Sequence, residues 1–486
     1  MIRRLIVLLV VVLAGWDQGY AQAGCPSTLQ ELVNATPAGG VLSVPPCIFR
    51  ETVNLTKPIL LEGNGIAEIR GSDVWTDWSK VGTFWISARV VPPLPLGSDL
   101  FAACTPNTAN RCFLGEQIFI DGAPLKELVP GMTPTGGFFS LVSVSDRRVQ
   151  LANDPTNHLV EVTTRERWIN SNSDGLTITG IKFEHAGTAY NRLSAIGNDN
   201  HSNWTLSSST LLYSHAQAVG ISIGNNVKVL WSDLAYNGQA AIGGTNATNP
   251  LILGNHLHDN NVDGLFNGGW DAAGLKMTGS QGLQLLDNEF DYNNGQGLWI
   301  DIHDIGDEIA RNKIHDNNGF GLMYEISSGA FIYDNAIWSN TQSGMFLSSD
   351  TGLDVAHNTS AWNRLDGMRV EINPRSDNPP GVGTNILLHD NAVFQITNTR
   401  GAESWVDNTG TKALYAPVSN NQGLRNRYWF PVPENTLRRF YWGAIFTGLS
   451  GYTVTPASMG STYLSNSDAR NLLESFGMPN LAVPTV

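Results

Sequence analysis

The chain has 486 residues, 50 of them Gly, and only 15% are charged, which points to many turns and little long helix. Its formal net charge of −14 at pH 7 argues against nucleic acid as a partner and disfavours a polyanionic substrate unless basic groups are concentrated locally. A chain this long is large for one ordinary domain, but repeat folds grow along an axis and escape that limit.

The N-terminus carries Arg3 and Arg4, an apolar run over 5–14 and the triplet Ala21-Gln-Ala23. This reads as a secretory signal peptide, 1–23, cut near Ala23, and predicts a secreted or periplasmic protein. The apolar run is too short to span a bilayer, and no later stretch reads as transmembrane. Export permits disulfides among Cys25, Cys47, Cys104 and Cys112. Proximity favours Cys25–Cys47 and Cys104–Cys112 among the three possible pairings, and no cysteine spacing suggests zinc.

Residues 72–165 do not repeat and read as an inserted β-subdomain. From 166 to 395 the chain is periodic. Gly274, Gly297, Gly321, Gly344 and Gly367 each open a Gly-hydrophobic phrase, at steps of 23, 24, 23 and 23 residues. An offset column holds Asn255, Asn288, Asn312, Asn335, Asn358 and Asn391. A fixed period near 23 with short alternating strands predicts an all-β solenoid, a parallel β-helix. Alternation turns Leu275, Met277, Leu298, Ile300, Leu322, Tyr324, Met345, Leu347, Met368 and Val370 inward. The Asn column is expected to be a structural ladder at a strand break, where Asn tolerates the left-handed conformation. Residues 396–486 lose the period and read as C-terminal coils or a tail packing on the helix, with a short terminal helix.

The outward columns are Lys276, Trp299, Met323, Phe346, Arg369 and Thr278, Asp301, Glu325, Ser348, Glu371. Asp301 and Glu325 thus share one face on adjacent coils, about 5 Å apart from the coil rise. That separation fits a retaining glycosidase, and mutual repulsion is expected to leave one acid protonated and the other ionised. The Asn255-to-Asn288 step is 33 residues, so this coil carries an extra loop with Trp270 and Asp271. His303 and Asp304 follow Asp301 in the turn, and 372–383 extends the opposite wall. The predicted groove has Asp301, Glu325 and, as a third candidate, Asp271 as catalytic groups. Trp270, Lys276, Trp299, His303, Asp304, Arg369 and Glu371 are its substrate-binding groups. Bland roles compete: a Glu371–Arg369 ion pair is favoured, Lys276 neutralises Asp301, the Trp270 loop covers Trp299, Asp304 caps the turn, and His303 is a turn hydrogen-bonder. His201, His215, His256 and His258 show no metal-site spacing and read as structural.

With its repeat over roughly 174–395, the chain resembles the secreted right-handed parallel β-helix proteins of the pectin-lyase-like class. That class contains polysaccharide lyases, glycoside hydrolases and uronate epimerases. Residues 24–71 are similar to the entry of such helices, with Leu29, Leu32 and Val33 on the apolar side of a capping helix. The resemblance implies a polysaccharide or oligosaccharide substrate. The Asn-Thr-Asp, Asp-Asp, Gly-His-Gly and Arg-Ile-Lys strings of polygalacturonases are missing, as is the Arg-x-Pro-x-x-Arg motif of pectate lyases, so no subfamily is assigned. A glycoside hydrolase without cofactor is the first expectation. The alternative is a polysaccharide lyase or uronate epimerase with Lys276 or His303 as base, Arg369 as clamp and Asp301, Asp304 and Glu325 as Ca²⁺ ligands. A non-catalytic glycan-binding surface protein is the third reading, and it predicts a featureless outward face.

Overall fold

Each repeat is built from three short strands joined by turns, and each strand pairs in parallel with its counterpart one coil away. Ala273–Thr278, Gln284–Leu286 and Glu289–Asp291 form one coil; Gln296–Asp301, Glu308–Ala310 and Lys313–His315 form the next. The computed structural model describes residues 25–95, 103–190, 194–375, 383–396, 401–431 and 439–484. The expected signal peptide and part of the 372–383 wall lie outside them.

Pairing runs Leu275 to Leu298 to Leu322 to Met345 to Met368 without a slip. The inward residues form one continuous core along the solenoid axis, with Leu298, Leu322, Tyr324 and Met368 fully buried. Each such side chain contributes about 1.5–3 kcal/mol of burial, which makes a one-residue slip of any coil prohibitive.

The asparagine column is a ladder. Asn312 Nδ2 donates to Leu285 O and to Asn335 Oδ1, both at 2.9 Å, and Asn335 Oδ1 also accepts from Asn312 N at 3.0 Å. The left-handed residue is not the asparagine but its predecessor: Asp287, Arg311, Asp334, His357 and Asp390 have φ of 55–57°. The asparagine instead satisfies the backbone groups that the break in the strand leaves without partners. A second ladder runs parallel through Asn260, Asn293, Asn317, Asn340 and Asn363.

Helix Leu29–Ala35 closes the N-terminal end of the core with Leu29 and Val33, capped by Thr28 and tethered by the Cys25–Cys47 disulfide. Between 72 and 165 the chain forms separate, mostly antiparallel strands around Trp75, Ile118, Phe139, Leu151 and Val160. It rejoins the helix where Ile169–Ser171 pairs with Val53–Leu55. The Cys104–Cys112 loop leans on the enlarged coil: Cys104 bridges to Phe266, and Thr105 N donates to Leu265 O at 2.9 Å. Past 395 the coils continue with longer connections, Ala392–Phe394 pairing with Arg427–Trp429 and Asn391 with the ladder residue Asn426. The terminal helix Asn466–Phe476 packs Ala469 and Leu473 near Trp338, Trp362 and Trp429. Among the described residues no helix is long and apolar enough to cross a membrane.

Candidate functional site

An 11-stranded sheet carries the outward columns, and its register sets Asp301 directly opposite Glu325, Glu325 opposite Ser348 and Ser348 opposite Glu371. Both carboxylates point away from the apolar core, yet Asp301 is only 5% and Glu325 only 8% exposed. The walls explain that burial. The loop before Ala273 covers one side, and Arg375 reaches in from the other.

Lys276 is the hub. Its ammonium lies 2.9 Å from Asp271 Oδ1 and 3.2 Å from Asp301 Oδ2, and donates to Trp270 O at 2.9 Å. It also sits 3.5 Å above the Trp299 ring centre. This departs from the expectation that Trp299 is a substrate-binding group, because the residue is buried and that ring face is occupied by a cation. Trp299 packs with Ala273, Met323 and Phe346 beneath the site. Trp270 is half-buried and donates its Nε1 to Tyr190 Oη at 3.0 Å; Tyr190 in turn donates to Asp271 Oδ2 at 2.8 Å. Asp271 is therefore held in the wall between Lys276 and Tyr190.

Glu325 ion-pairs with Arg375 through Oε1. Arg369 Nε donates to Glu371 Oε2 at 2.6 Å, and Asn408 Nδ2 donates to Glu371 Oε1 at 3.0 Å, so Glu371 is bound into an ion-paired group. His303 is exposed at the turn. Asp304 is not in the groove. Ile302 and His303 both adopt left-handed φ, 53° and 67°, and this double turn carries Asp304 into the interior. There Asp304 Oδ1 accepts from Ser280 N at 3.0 Å, and Ser327 Oγ and Asp350 Oδ1 continue the ladder on later coils. Burial and neighbouring Asp307 push the Asp304 pKa up to about 8, so it is a neutral structural acid and drops out of any Ca²⁺ ligand set with Asp301 and Glu325.

Electrostatics also depart from a simple split pair. Burial raises the pKa of Asp301, with Lys276 opposing. Burial raises Glu325 too, the Asp301 charge adding to it while Arg375 and Lys276 oppose. Desolvation is the largest cause for each; like charge adds to it at Glu325 from Asp301 and at Asp301 from Asp271. Asp350, fully buried one coil on, is raised well above its ordinary value by burial, with the Glu325 charge adding to it. Among the described residues Asp301 Oδ1, Trp299 Nε1 and Ser348 Oγ are buried without a hydrogen-bond partner.

Sequence reasoning missed Tyr190, Asp350 and Arg375. Tyr190 reaches the site across 81 residues of sequence, and no periodic signal marks it. Arg375 lies in the 372–383 extension, whose unusual length was the only signal.

A sequence profile described as a right handed beta helix region matches residues 194–305 and 306–413. No curated protein sequence matches the chain. Among solved structures, XylC in complex with xylose is similar at TM-score 0.55 and 14% identity, over 85% of this chain and 82% of that one. The A-module of mannuronan C-5 epimerase AlgE6 from Azotobacter vinelandii is similar at TM-score 0.51 and 11% identity, over 90% of this chain and 94% of that one. At such identities the likeness is one of fold: the chain is a right-handed parallel β-helix protein.

Proposed function

We propose that the protein is a carbohydrate-active enzyme that hydrolyses glycosidic bonds with Asp301 and Glu325. The observation that carries this reading is a buried carboxylate pair in direct register, one oxygen of which, Asp301 Oδ1, has no partner among the described residues. Strand spacing sets the two backbone positions about 5 Å apart, and a carboxyl separation of that order suits attack on the anomeric carbon by one group while the other protonates the leaving oxygen. Asp301 is the nucleophile: Lys276 stabilises its anion through Oδ2 and leaves the buried Oδ1 without a hydrogen-bond partner. Glu325 takes the acid role, burial and the Asp301 charge raising its pKa against the opposing Arg375 ion pair. XylC is solved with xylose, and the AlgE6 module bears the name of a mannuronan epimerase, which agrees with a sugar polymer as substrate.

A second reading, elimination or epimerisation at a uronate, is favoured by Arg375 at Glu325, since a uronate carboxylate needs neutralising. Lys276 is a poor base for it, being held by Asp271, Asp301 and Trp270 at once. The test is a panel of neutral and uronate-containing polysaccharides, read both as new reducing ends and as unsaturated products absorbing in the ultraviolet. Hydrolysis predicts reducing ends alone, with Asp301→Asn and Glu325→Gln each slowing turnover about 10²–10⁴-fold while the fold persists. Full activity in both variants removes the proposal, and ultraviolet-absorbing product replaces it with the second reading.

A further inference from the structure

On a different face of the helix, strand His256–His258 pairs with Asp233–Ala235 on the preceding coil and Glu289–Asp291 on the next. Leu257 is buried in the core, so His256 and His258 project outward together, their rings 3.9 Å apart. His258 Nε2 lies 2.9 Å and His256 Nδ1 lies 3.9 Å from the same atom, Asp233 Oδ1. Each imidazole gives its other nitrogen to a carboxylate: His256 Nε2 to Asp291 Oδ1 at 2.7 Å and His258 Nδ1 to Asp259 Oδ2 at 2.8 Å.

We propose that Asp233, His256 and His258 bind a divalent transition-metal ion of the Zn²⁺ class, with Asp291 and Asp259 as the orienting carboxylates and the remaining coordination positions open to water. Two imidazoles and a carboxylate oxygen converging within 4.8 Å form the donor set such an ion takes. The outer carboxylates fix which ring nitrogen faces inward, as metal-bound histidines require. Side chains of Asp233 and His256 are 49% and 42% exposed, which leaves the outer side accessible to solvent.

A recurring clamp sets this coil apart. His315 and His389 are likewise held between the following aspartate and an acid on an earlier coil. Two residues before them stand Lys313 and Leu387, which supply no second imidazole. The clamp alone is a turn element, and among the described residues only the coil with His256 turns it into a three-ligand set. The four cysteines are all in disulfides, so no thiolate competes for the ion.

The test uses the tag-free full chain, stripped with a chelator and titrated with Co²⁺ and then Zn²⁺. Expected are one saturable equivalent, visible d–d absorption from bound Co²⁺, and its displacement by Zn²⁺. His256→Ala and His258→Ala each weaken binding about 100-fold, and the orienting-residue change Asp291→Asn weakens it about tenfold. His315→Ala, at a clamp without a second histidine, leaves binding unchanged. Zn²⁺ raises the Tm of the wild type and not that of the His256→Ala/His258→Ala double variant. Absence of saturable uptake by the wild type, or uptake unchanged in a folded double variant, overturns the proposal.

Discussion

Replacing Lys276 by Met removes one ammonium from between two acids, 2.9 Å from Asp271 and 3.2 Å from Asp301. The Lys276 side chain is 12% and that of Asp301 8% exposed, so water replaces little of the lost interaction. Breaking a buried pair by removing one partner costs about 3–5 kcal/mol, and partial exposure of Asp271 places this case near 3 kcal/mol at pH 8. The sign with pH follows from Asp301. Its folded pKa is already above its unfolded value, and loss of Lys276 raises it further. A group raised on folding stabilises the protein below its unfolded pKa, and that contribution disappears as pH rises through the folded pKa. The Lys276→Met deficit is therefore smaller at pH 4.5 than at pH 8, because it grows as pH rises through the folded pKa of Asp301. Urea denaturation at both pH values measures it. Adding Asp301→Asn to Lys276→Met recovers most of the loss at pH 8. In the enzyme, the acidic limb of kcat/KM moves upward in pH, because Asp301 must be ionised to attack. An equal deficit at both pH values, or no recovery in the double variant, refutes the assigned role of Lys276.

Asn312→Ala leaves the Leu285 carbonyl and the Asn288 amide without their side-chain partner inside the wall of the solenoid, and equilibrium denaturation should show a loss of about 2–4 kcal/mol. Glu403 is fully buried among Trp405, Tyr428 and Tyr452, and burial raises its pKa to about 7. Its stabilising contribution is lost as pH rises from about 4.5 through 7, so Glu403→Gln flattens the pH dependence of stability and removes a decline of about 3 kcal/mol, read by denaturation at pH 5 and 8. Replacing Cys104 and Cys112 together by Ser loosens the segment that leans on Phe266 behind the Trp270 wall, and steady-state kinetics should show KM rising more than kcat falls.

Much of the architecture was legible in the sequence because a solenoid repeats its chemistry. A glycine phrase recurring every 23 or 24 residues fixes which residues stack, and Asp301 over Glu325 follows from counting. Side-chain ends and turns obey no such period. Asp304 was assigned to the groove because it follows Asp301, but two consecutive left-handed residues at Ile302 and His303 turn it inward. Trp299 was correctly placed outward, yet neither the Lys276 ammonium over its ring nor its burial by Met323 and Phe346 is written in the spacing. The Asp233, His256 and His258 grouping was missed for a related reason. Histidines two apart on a strand share a face, but the third ligand comes from another coil 23 residues earlier. Asn358 lies in an Asn-x-Ser sequon, yet as a fully buried ladder member it offers no accessible amide for a glycan in the folded chain.

The stereochemistry of cleavage tests the central claim most directly. With a polysaccharide or oligosaccharide that the protein degrades, proton NMR of the first-formed sugar anomer should show retention of configuration, as carboxylates about 5 Å apart dictate. Inversion, or an unsaturated product in place of a new reducing end, contradicts an Asp301–Glu325 nucleophile and acid pair.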